Sequence, residues 1–142
     1  MNSEETLAQA PLFSQLSRKD LKRLAKGTVS RHFSRGEVIV KEGERAVAFY
    51  LILSGHTEVV KGADGGSPRV LNTLGPRDFF GEMALLDGYM RSASVRALED
   101  TECLVLSRWD FMAELRSSPY IAVQMLPILS RRLREAEAKL GT

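Results

Sequence analysis

Residues able to carry chemistry are concentrated at 79–97, where the chain reads FFGEMALLDGYMRSASVRA. Gly81 and Glu82 lie about nine residues ahead of the pair Arg91 and Ser92, in a pattern that predicts a strand end, one helical turn and a new strand. Backbone amides at the start of a helix attract an anion, and an arginine adds a planar, permanently charged group that suits a phosphate. Glu82 would repel a phosphate, so it indicates a ligand that also carries a hydroxyl, as a ribose does. The segment therefore suggests a nucleotide.

The segment also resembles the phosphate-binding cassette of the cyclic-nucleotide-binding domain. That domain occurs in catabolite activator proteins, regulatory subunits of cyclic-AMP-dependent protein kinase and cyclic-nucleotide-gated channels. The family pattern is Phe-Gly-Glu, a hydrophobic residue, Ala-Leu, a variable loop, then Arg-Ser/Thr/Ala-Ala and a hydrophobic strand. The positions that fit it are Phe80, Gly81, Glu82, Met83, Ala84, Leu85, Arg91, Ser92, Ala93 and Val95. In weaker form the resemblance covers nearly the whole chain.

The resemblance implies a cyclic nucleotide ligand, with cyclic AMP favoured and cyclic GMP as the alternative. It implies that Arg91 binds the cyclic phosphate and that Glu82 accepts a hydrogen bond from the ribose 2′-hydroxyl. The ligand-binding residues that it implies in the cassette are Gly81, Glu82, Met83, Ala84, Arg91, Ser92 and Ala93. The backbone amides of Ala84, Ser92 and Ala93 are expected to complete a cradle for the anion. It further implies that the last helix closes over the purine, with lid positions at Arg132, Leu133 and Ala136.

These side chains also have ordinary structural interpretations. Arg91 could be a surface strand residue in a salt bridge, and Glu82 could simply place a favourable charge in a first helical turn. The Ser92 hydroxyl could donate to the phosphate or have no role.

Two places depart from the family pattern. Arg77 occupies a turn position that usually holds glycine, and because a positive φ would strain an arginine, the sequence predicts a different turn shape. Tyr89–Met90 replaces a common x-Pro before Arg91, which leaves this loop less stiff.

Composition places the chain among globular proteins. It has 142 residues, 44% of them hydrophobic and 27% charged, which suits one domain with a real core. The net charge of +2 is too small to indicate nucleic acid or a membrane surface as a partner. No apolar run approaches the roughly 18 residues of a membrane span, and the first residues are acidic where a signal peptide would be basic. The single cysteine, Cys103, cannot form an internal disulfide; it lies in an apolar run and is predicted to be buried. Together with the missing membrane-span and signal-peptide patterns, this leads us to expect a cytoplasmic protein.

Short strands separated by turn signals fill the middle of the chain. They are predicted at 28–33, 38–41, 48–53, 57–61, 69–74, 92–97 and 102–106, with a hairpin tip at 63–68. This spacing predicts a mainly β fold with flanking helices, namely a jelly-roll β-barrel (double-stranded β-helix) with an N-terminal helix and C-terminal helices. The expected organisation is a single domain over 1–142, with a helical segment at 1–27, the barrel and cassette at 28–107, and C-terminal helices at 108–140.

Helices are predicted on both sides of the barrel. Ser17 and Ser107 each begin a capping-box pattern, and the helices that follow reach about Lys26 and about Arg116. Ahead of the first helix, the sequence predicts an apolar turn that packs on the barrel, formed by Leu12, Phe13 and Leu16.

A last helix is predicted from the cap Ser118 and the first-turn residue Pro119 to about Leu140. Its apolar residues recur at steps of three and four, as in a coiled-coil seam: Leu126, Leu129, Leu133, Ala136 and Leu140. Pro127 is expected to kink this helix or to mark its true start. Because such a seam is unfavourable in water, the barrel or a second copy must cover it, and we predict a homodimer through this helix.

Enzyme chemistry is not indicated. A jelly-roll enzyme with a metal site needs several clustered histidines, whereas His32 and His56 are far apart and form no His-x-His motif. Nucleophile-elbow, phosphate-loop and zinc-cysteine motifs are also missing from the sequence. The resemblance instead implies a cyclic-nucleotide-binding regulatory domain that converts ligand binding into movement of its C-terminal helix.

Two other functions stay open at this point. The chain could be the ligand-binding part of a catabolite-activator-type transcription regulator, which needs a helix-turn-helix after the long helix. No such element follows before Thr142, so neither a DNA-binding element nor a membrane segment is expected in this chain. The chain could also be a barrel of the same fold that has lost its ligand and only contacts other proteins, although the intact Glu82 and Arg91 argue against that.

Overall fold

Two four-stranded antiparallel sheets form the centre of the molecule in the computed structural model, which describes residues 2–62, 65 and 67–141. The strands are β1 (Thr28–Phe33), β2 (Val38–Val40), β3 (Ala48–Ser54), β4 (Thr57–Lys61), β5 (Arg69–Leu74), β6 (Phe79–Phe80), β7 (Ser94–Ala97) and β8 (Thr101–Ser107). One sheet has the order β1-β8-β3-β6 and the other β2-β7-β4-β5. This architecture confirms the predicted mainly β jelly roll. Residues 63, 64 and 66 of the expected hairpin tip lie outside the described residues.

Helices lie at both ends of the chain, and one short helix lies between β6 and β7. The described residues include α1 (Ser3–Leu7), α2 (Arg18–Lys26), α3 (Ala84–Asp87), α4 (Arg108–Ser117) and α5 (Tyr120–Lys139). Both predicted capping serines cap their helices. The Ser17 hydroxyl accepts a hydrogen bond from the Asp20 amide at 3.2 Å, and the Ser107 hydroxyl accepts one from the Asp110 amide at 3.1 Å.

The apolar strands β3 and β8 are covered on both faces, because successive side chains enter different cores. On β3, Phe49 and Leu51 belong to a core beneath the helices, whereas Ala48 and Ile52 belong to the core between the sheets. The helix-side core includes the predicted apolar turn, whose Phe13 is buried with its ring centroid 5.6 Å from that of Phe49. A large apolar side chain contributes about 1.5–3 kcal/mol when buried, so this contact fastens the N-terminal segment to the sheet.

Cys103 on β8 is buried in the core between the sheets, as predicted. Burial raises the pKa of its thiol to about 12. The thiol therefore stays protonated at neutral pH and is a poor nucleophile.

The turn before β6 keeps a left-handed conformation despite its arginine. Arg77 has a φ of 76° and is the one non-glycine residue with positive φ in the described part of the chain. Its amide donates to the Ile52 carbonyl at 2.8 Å, and the Ile52 amide donates to the Asp78 carbonyl at 2.9 Å. The expected change of turn shape is therefore wrong, because hydrogen bonds to β3 hold the turn and Arg77 bears the strain.

The last helix, α5, begins at Tyr120 and runs through Pro127, so the proline does not mark its start. Ser118 does not cap it as expected. Pro119 occupies the capping position, no side-chain hydrogen bond is made there, and the Ser118 carbonyl accepts from the Ile121 amide at 3.0 Å. No described helix combines the length and the apolar character that a membrane span requires.

Only one face of α5 packs on the helix-side core. Its buried residues are Ile121, Met125 and Ile128, and Leu129 is partly buried beside them. The exposed leucines of the predicted seam are Leu126 (60% exposed), Leu133 (62%) and Leu140 (81%). The barrel therefore leaves most of the seam uncovered.

Candidate functional site

A cavity of about 510 Å³ lies between the cassette and α5. The predicted site residues that line it are Gly81, Glu82, Met83, Ala84, Arg91, Ser92 and Arg132. Its other walls, which the sequence did not assign to the site, come from Ala46, Phe79, Phe80, Asp87, Tyr89 and Met90. Three predicted residues do not line it: Ala93, Leu133 and Ala136. Of the described part of α5, Arg132 alone reaches the cavity wall.

Gly81 has to be glycine for two separate reasons. Its φ is 83°, a conformation that side chains with a Cβ rarely adopt. A Cβ would also lie 2.5 Å from Nη1 of Arg91 and 2.6 Å from the carbonyl oxygen of Ala48. The cassette backbone therefore packs directly against the arginine that was predicted to hold a phosphate.

Arg91 is held by both its backbone and its side chain. Its amide donates to the Glu44 carbonyl at 2.8 Å, and its Nη2 donates to the Ala48 carbonyl at 2.7 Å. The guanidinium carbon lies 5.8 Å from the centroid of the Tyr50 ring, a distance at which a cation–π contact stabilises the charge. Among the described residues no carboxylate pairs with Arg91.

Burial shifts the titration of both partners in this contact. It lowers the pKa of the Arg91 guanidinium and raises the pKa of the Tyr50 hydroxyl, and the attraction between the two groups opposes both shifts. An arginine nevertheless stays charged at neutral pH. The cavity therefore contains a cation that an anionic ligand can approach.

The two oxygens of the Glu82 carboxylate, which is 4% exposed, have different partners. Oε2 accepts a hydrogen bond from the Leu12 amide at 3.0 Å, and Oε1 forms an ion pair with Nη2 of Arg132. Nη1 of Arg132 lies 3.3 Å from Sδ of Met83. Because Arg132 balances the carboxylate charge, Glu82 repels a phosphate less than it would alone.

Of the three backbone amides expected to bind an anion, one already donates a hydrogen bond within the chain and two do not. The Ala84 amide donates to the Gly81 carbonyl at 3.1 Å, within the short turn that leads into α3. The Ser92 and Ala93 amides donate to no acceptor within the described chain. Of the predicted cradle, the part next to Arg91 is therefore open to a ligand.

Neither histidine contributes to this cavity. His32 pairs with Glu102 at 2.8 Å, and His56 pairs with Glu99 at 3.6 Å. Across residues 2–62, 65 and 67–141, no three His, Cys, Asp or Glu residues are grouped so that they could hold a metal ion. The arrangement supports binding through charge and hydrogen bonds.

Comparison with known proteins gives a consistent result. The family model described as "Cyclic nucleotide-binding domain" matches residues 30–118. The chain is 40% identical over 131 residues to the "Cyclic AMP receptor protein" of Thermus thermophilus. The matched region covers 92% of this chain and 61% of that protein. It is 37% identical over 99 residues to the "cAMP-dependent protein kinase regulatory subunit" of Mycosarcoma maydis, covering 70% of this chain and 19% of that protein.

A solved structure shows the same fold. The crystal structure of the N-terminal domain of a transcriptional regulator from Streptomyces coelicolor A3(2) has a TM-score of 0.86 and 26% identity, and covers 95% of this chain and 94% of that one. The family match contains the whole cassette, whereas α5 with Arg132 lies beyond it. The chain spans about three fifths of the length of the Thermus relative, of which it covers 61%.

Proposed function

This chain belongs to the cyclic nucleotide-binding domain family, and we propose that it binds cyclic AMP in the cavity between its cassette and α5. It is a regulatory binding domain and not an enzyme. The observation that carries the proposal is that one cavity brings together the unpaired cation Arg91 and the buried carboxylate Glu82. These groups complement the charge of a cyclic phosphate and the hydroxyl of a ribose.

Arg91 is the proposed phosphate ligand. Its hydrogen bond to Ala48 uses one of its donors, and the remaining donors can bind phosphate oxygens together with the open amides of Ser92 and Ala93. A phosphate is a stronger acceptor than a neutral carbonyl, so the ligand competes with the resting hydrogen bond from Arg91 to the Ala48 carbonyl.

Glu82 is the proposed acceptor for the ribose 2′-hydroxyl. Its Oε2 is already occupied by the Leu12 amide, so we assign the hydroxyl to Oε1. That oxygen is the one paired with Arg132, and the ribose has to share it or displace the guanidinium.

This exchange is the proposed route from ligand binding to helix movement. Without ligand, Arg132 anchors α5 to the cassette through Glu82 and Met83. With ligand, the guanidinium turns towards the nucleotide and α5 shifts, so that Leu133 and Ala136 close over the purine. Base contacts are then mainly apolar, or come from Arg132.

Calorimetric titration with cyclic AMP and cyclic GMP, on the parent protein and on Arg91→Ala, tests the ligand. We expect saturable binding of cyclic AMP that is tighter than that of cyclic GMP and is weakened by Arg91→Ala. If the folded parent binds neither nucleotide, the proposal is wrong, and a domain that only contacts other proteins becomes the alternative.

The exposed leucines of α5 support a homodimer as a second proposal. Leu126, Leu133 and Leu140 recur at heptad spacing and lie outside the contact with the barrel. A second copy of the same helix presents an identical surface, as a two-fold symmetric interface requires.

The larger setting of the domain is also a proposal. The chain covers 61% of the Thermus relative and resembles the N-terminal domain of a Streptomyces transcriptional regulator, which supports a place as the ligand-binding part of a catabolite-activator-type transcription regulator. The proposed compartment is the cytoplasm, where a lone thiol such as Cys103 stays reduced.

A further inference from the structure

A second cavity, of about 240 Å³, lies beside α4. Its wall residues are Arg45, Ala46, Val47, Gly88, Arg108 and Trp109, and none of them is acidic. It shares only Ala46 with the nucleotide cavity and has about half of that cavity's volume of about 510 Å³. We propose that this second cavity is a docking site for a partner protein, which it binds through a peptide segment carrying a carboxylate beside a large apolar side chain.

Arg108 supplies a fixed positive charge to this cavity. Its amide donates to the Val47 carbonyl at 2.8 Å, and its Nη2 donates to the Leu86 carbonyl at 3.3 Å. Its Nε is buried and has no hydrogen-bond acceptor within the described residues. No carboxylate in that part of the chain pairs with the guanidinium, so its charge is not balanced there.

Arg45 supplies a second charge to the wall of this cavity. Its side chain is exposed and forms no ion pair with any described residue. Two guanidinium groups without a carboxylate between them attract an anion, and the planar fork of arginine matches the two oxygens of a carboxylate.

The apolar part of the cavity indicates what carries that anion. Trp109 is the single tryptophan of the chain, and 77% of its surface is exposed. Val47 is also exposed. Val47 and Trp109 also line a neighbouring depression together with Val29, so the apolar surface continues beyond the cavity. Exposed tryptophan and arginine are the residue types that contribute most to protein–protein binding. A small inorganic anion would leave these apolar walls unused, whereas a peptide would contact both parts.

Fluorescence of Trp109 gives a direct test, because no other tryptophan contributes to the emission. The probe is the peptide acetyl-Glu-Leu-Glu-Phe-Glu-amide, titrated to millimolar concentration into the nucleotide-free protein. Its matched control has glutamine in place of each glutamate. We expect a saturable shift of the emission to shorter wavelength with the acidic peptide and no shift with its control.

Surface variants then locate the contact. Arg45→Gln should weaken binding about twofold to fivefold, the range expected for an exposed charge pair. Arg35→Gln changes an exposed arginine elsewhere and should bind as the parent does. Arg91→Ala should also bind the peptide normally, because Arg91 belongs to the other cavity.

Five results would overturn the proposal, four of which come from the peptides and variants. Those four are no shift with the acidic peptide, equal binding of the glutamine peptide, unchanged affinity in Arg45→Gln, and loss of binding in Arg91→Ala, which would put the peptide in the nucleotide cavity. Full competition by inorganic phosphate at the same concentration would also overturn it, since a simple anion site would then suffice. No nucleotide is used, so the outcome is independent of whether the protein binds cyclic AMP.

Discussion

The guanidinium of Arg132 on α5 pairs with the buried carboxylate of Glu82 in the cassette. The same carboxylate accepts a hydrogen bond from the amide of Leu12, so three segments that are remote in sequence meet at one side chain. A ribose hydroxyl that binds Glu82 would therefore alter the contacts of all three segments at once.

The coupling between Glu82 and Arg132 should be measurable without ligand. In a double-mutant cycle of Glu82→Gln and Arg132→Gln, we expect a coupling of about 1–2 kcal/mol in the free energy of unfolding. Urea denaturation provides the measurement, and saturating cyclic AMP should reduce the coupling. A coupling below about 0.3 kcal/mol would show that the pair contributes nothing to the resting state.

Replacing Arg91 with alanine should weaken cyclic AMP binding at least about tenfold, because a hydrogen bond to a charged group contributes roughly 1.5–3 kcal/mol. Isothermal titration calorimetry measures the effect. The matched control is Arg96→Ala on β7, which removes a surface arginine that pairs with Glu58. Unchanged affinity in a folded Arg91→Ala protein would remove Arg91 from the phosphate site.

The parent should discriminate against 2′-deoxy cyclic AMP by about tenfold, since the lost hydroxyl leaves a buried carboxylate oxygen without its ligand partner. Glu82→Ala should erase most of that preference. Asp87→Asn alters the other carboxylate of the cavity and should retain the preference. Equal binding of the two nucleotides by the parent would exclude the ribose role of Glu82.

Arg77→Gly should raise the free energy of unfolding by about 0.5–1 kcal/mol, because relief of the left-handed strain exceeds the extra entropy of an unfolded glycine. Thermal and urea denaturation provide the measurement. Arg35→Gly, at an exposed arginine without positive φ, should instead lower stability. A loss of stability in Arg77→Gly would mean that the arginine side chain has a stabilising contact worth more than the strain.

The parent should sediment as a dimer, and Leu133→Asp/Leu140→Asp should sediment as a monomer, because two charges then enter the apolar seam. Analytical ultracentrifugation with and without cyclic AMP measures this. Ala138→Asp, on an exposed position of the same helix, should stay dimeric. A parent that is monomeric in both conditions rules the dimer out.

Much of this site could be predicted because its information is local. Gly81, Glu82 and Arg91 lie within one short segment, so their types and spacing can be recognised directly. The capping serines and the turn residues mark where the neighbouring helices and strands begin and end. Likewise, the short continuous apolar run of β3, bounded by turn residues, is typical of a strand that is buried on both faces.

What the sequence could not predict depends on tertiary contact. The Leu12 amide and Arg132 reach Glu82 only because the N-terminal turn and α5 pack beside the cassette. Ala46 joins the cavity from a loop that carries no motif. Helix α1 lies within the expected helical segment at 1–27, but its bounds could not be predicted because five residues show no periodicity, although Asn2 caps it by accepting from the Glu5 amide at 2.8 Å.

The cassette connects β6, which belongs to one sheet, to β7, which belongs to the other. Its two ends are therefore rooted in different layers of the jelly roll. A ligand that binds both Glu82 at one end of the cassette and Arg91 at the other would add a noncovalent connection between the two sheets. We therefore expect a bound ligand to slow the opening fluctuations of the barrel, an effect separate from any shift of α5.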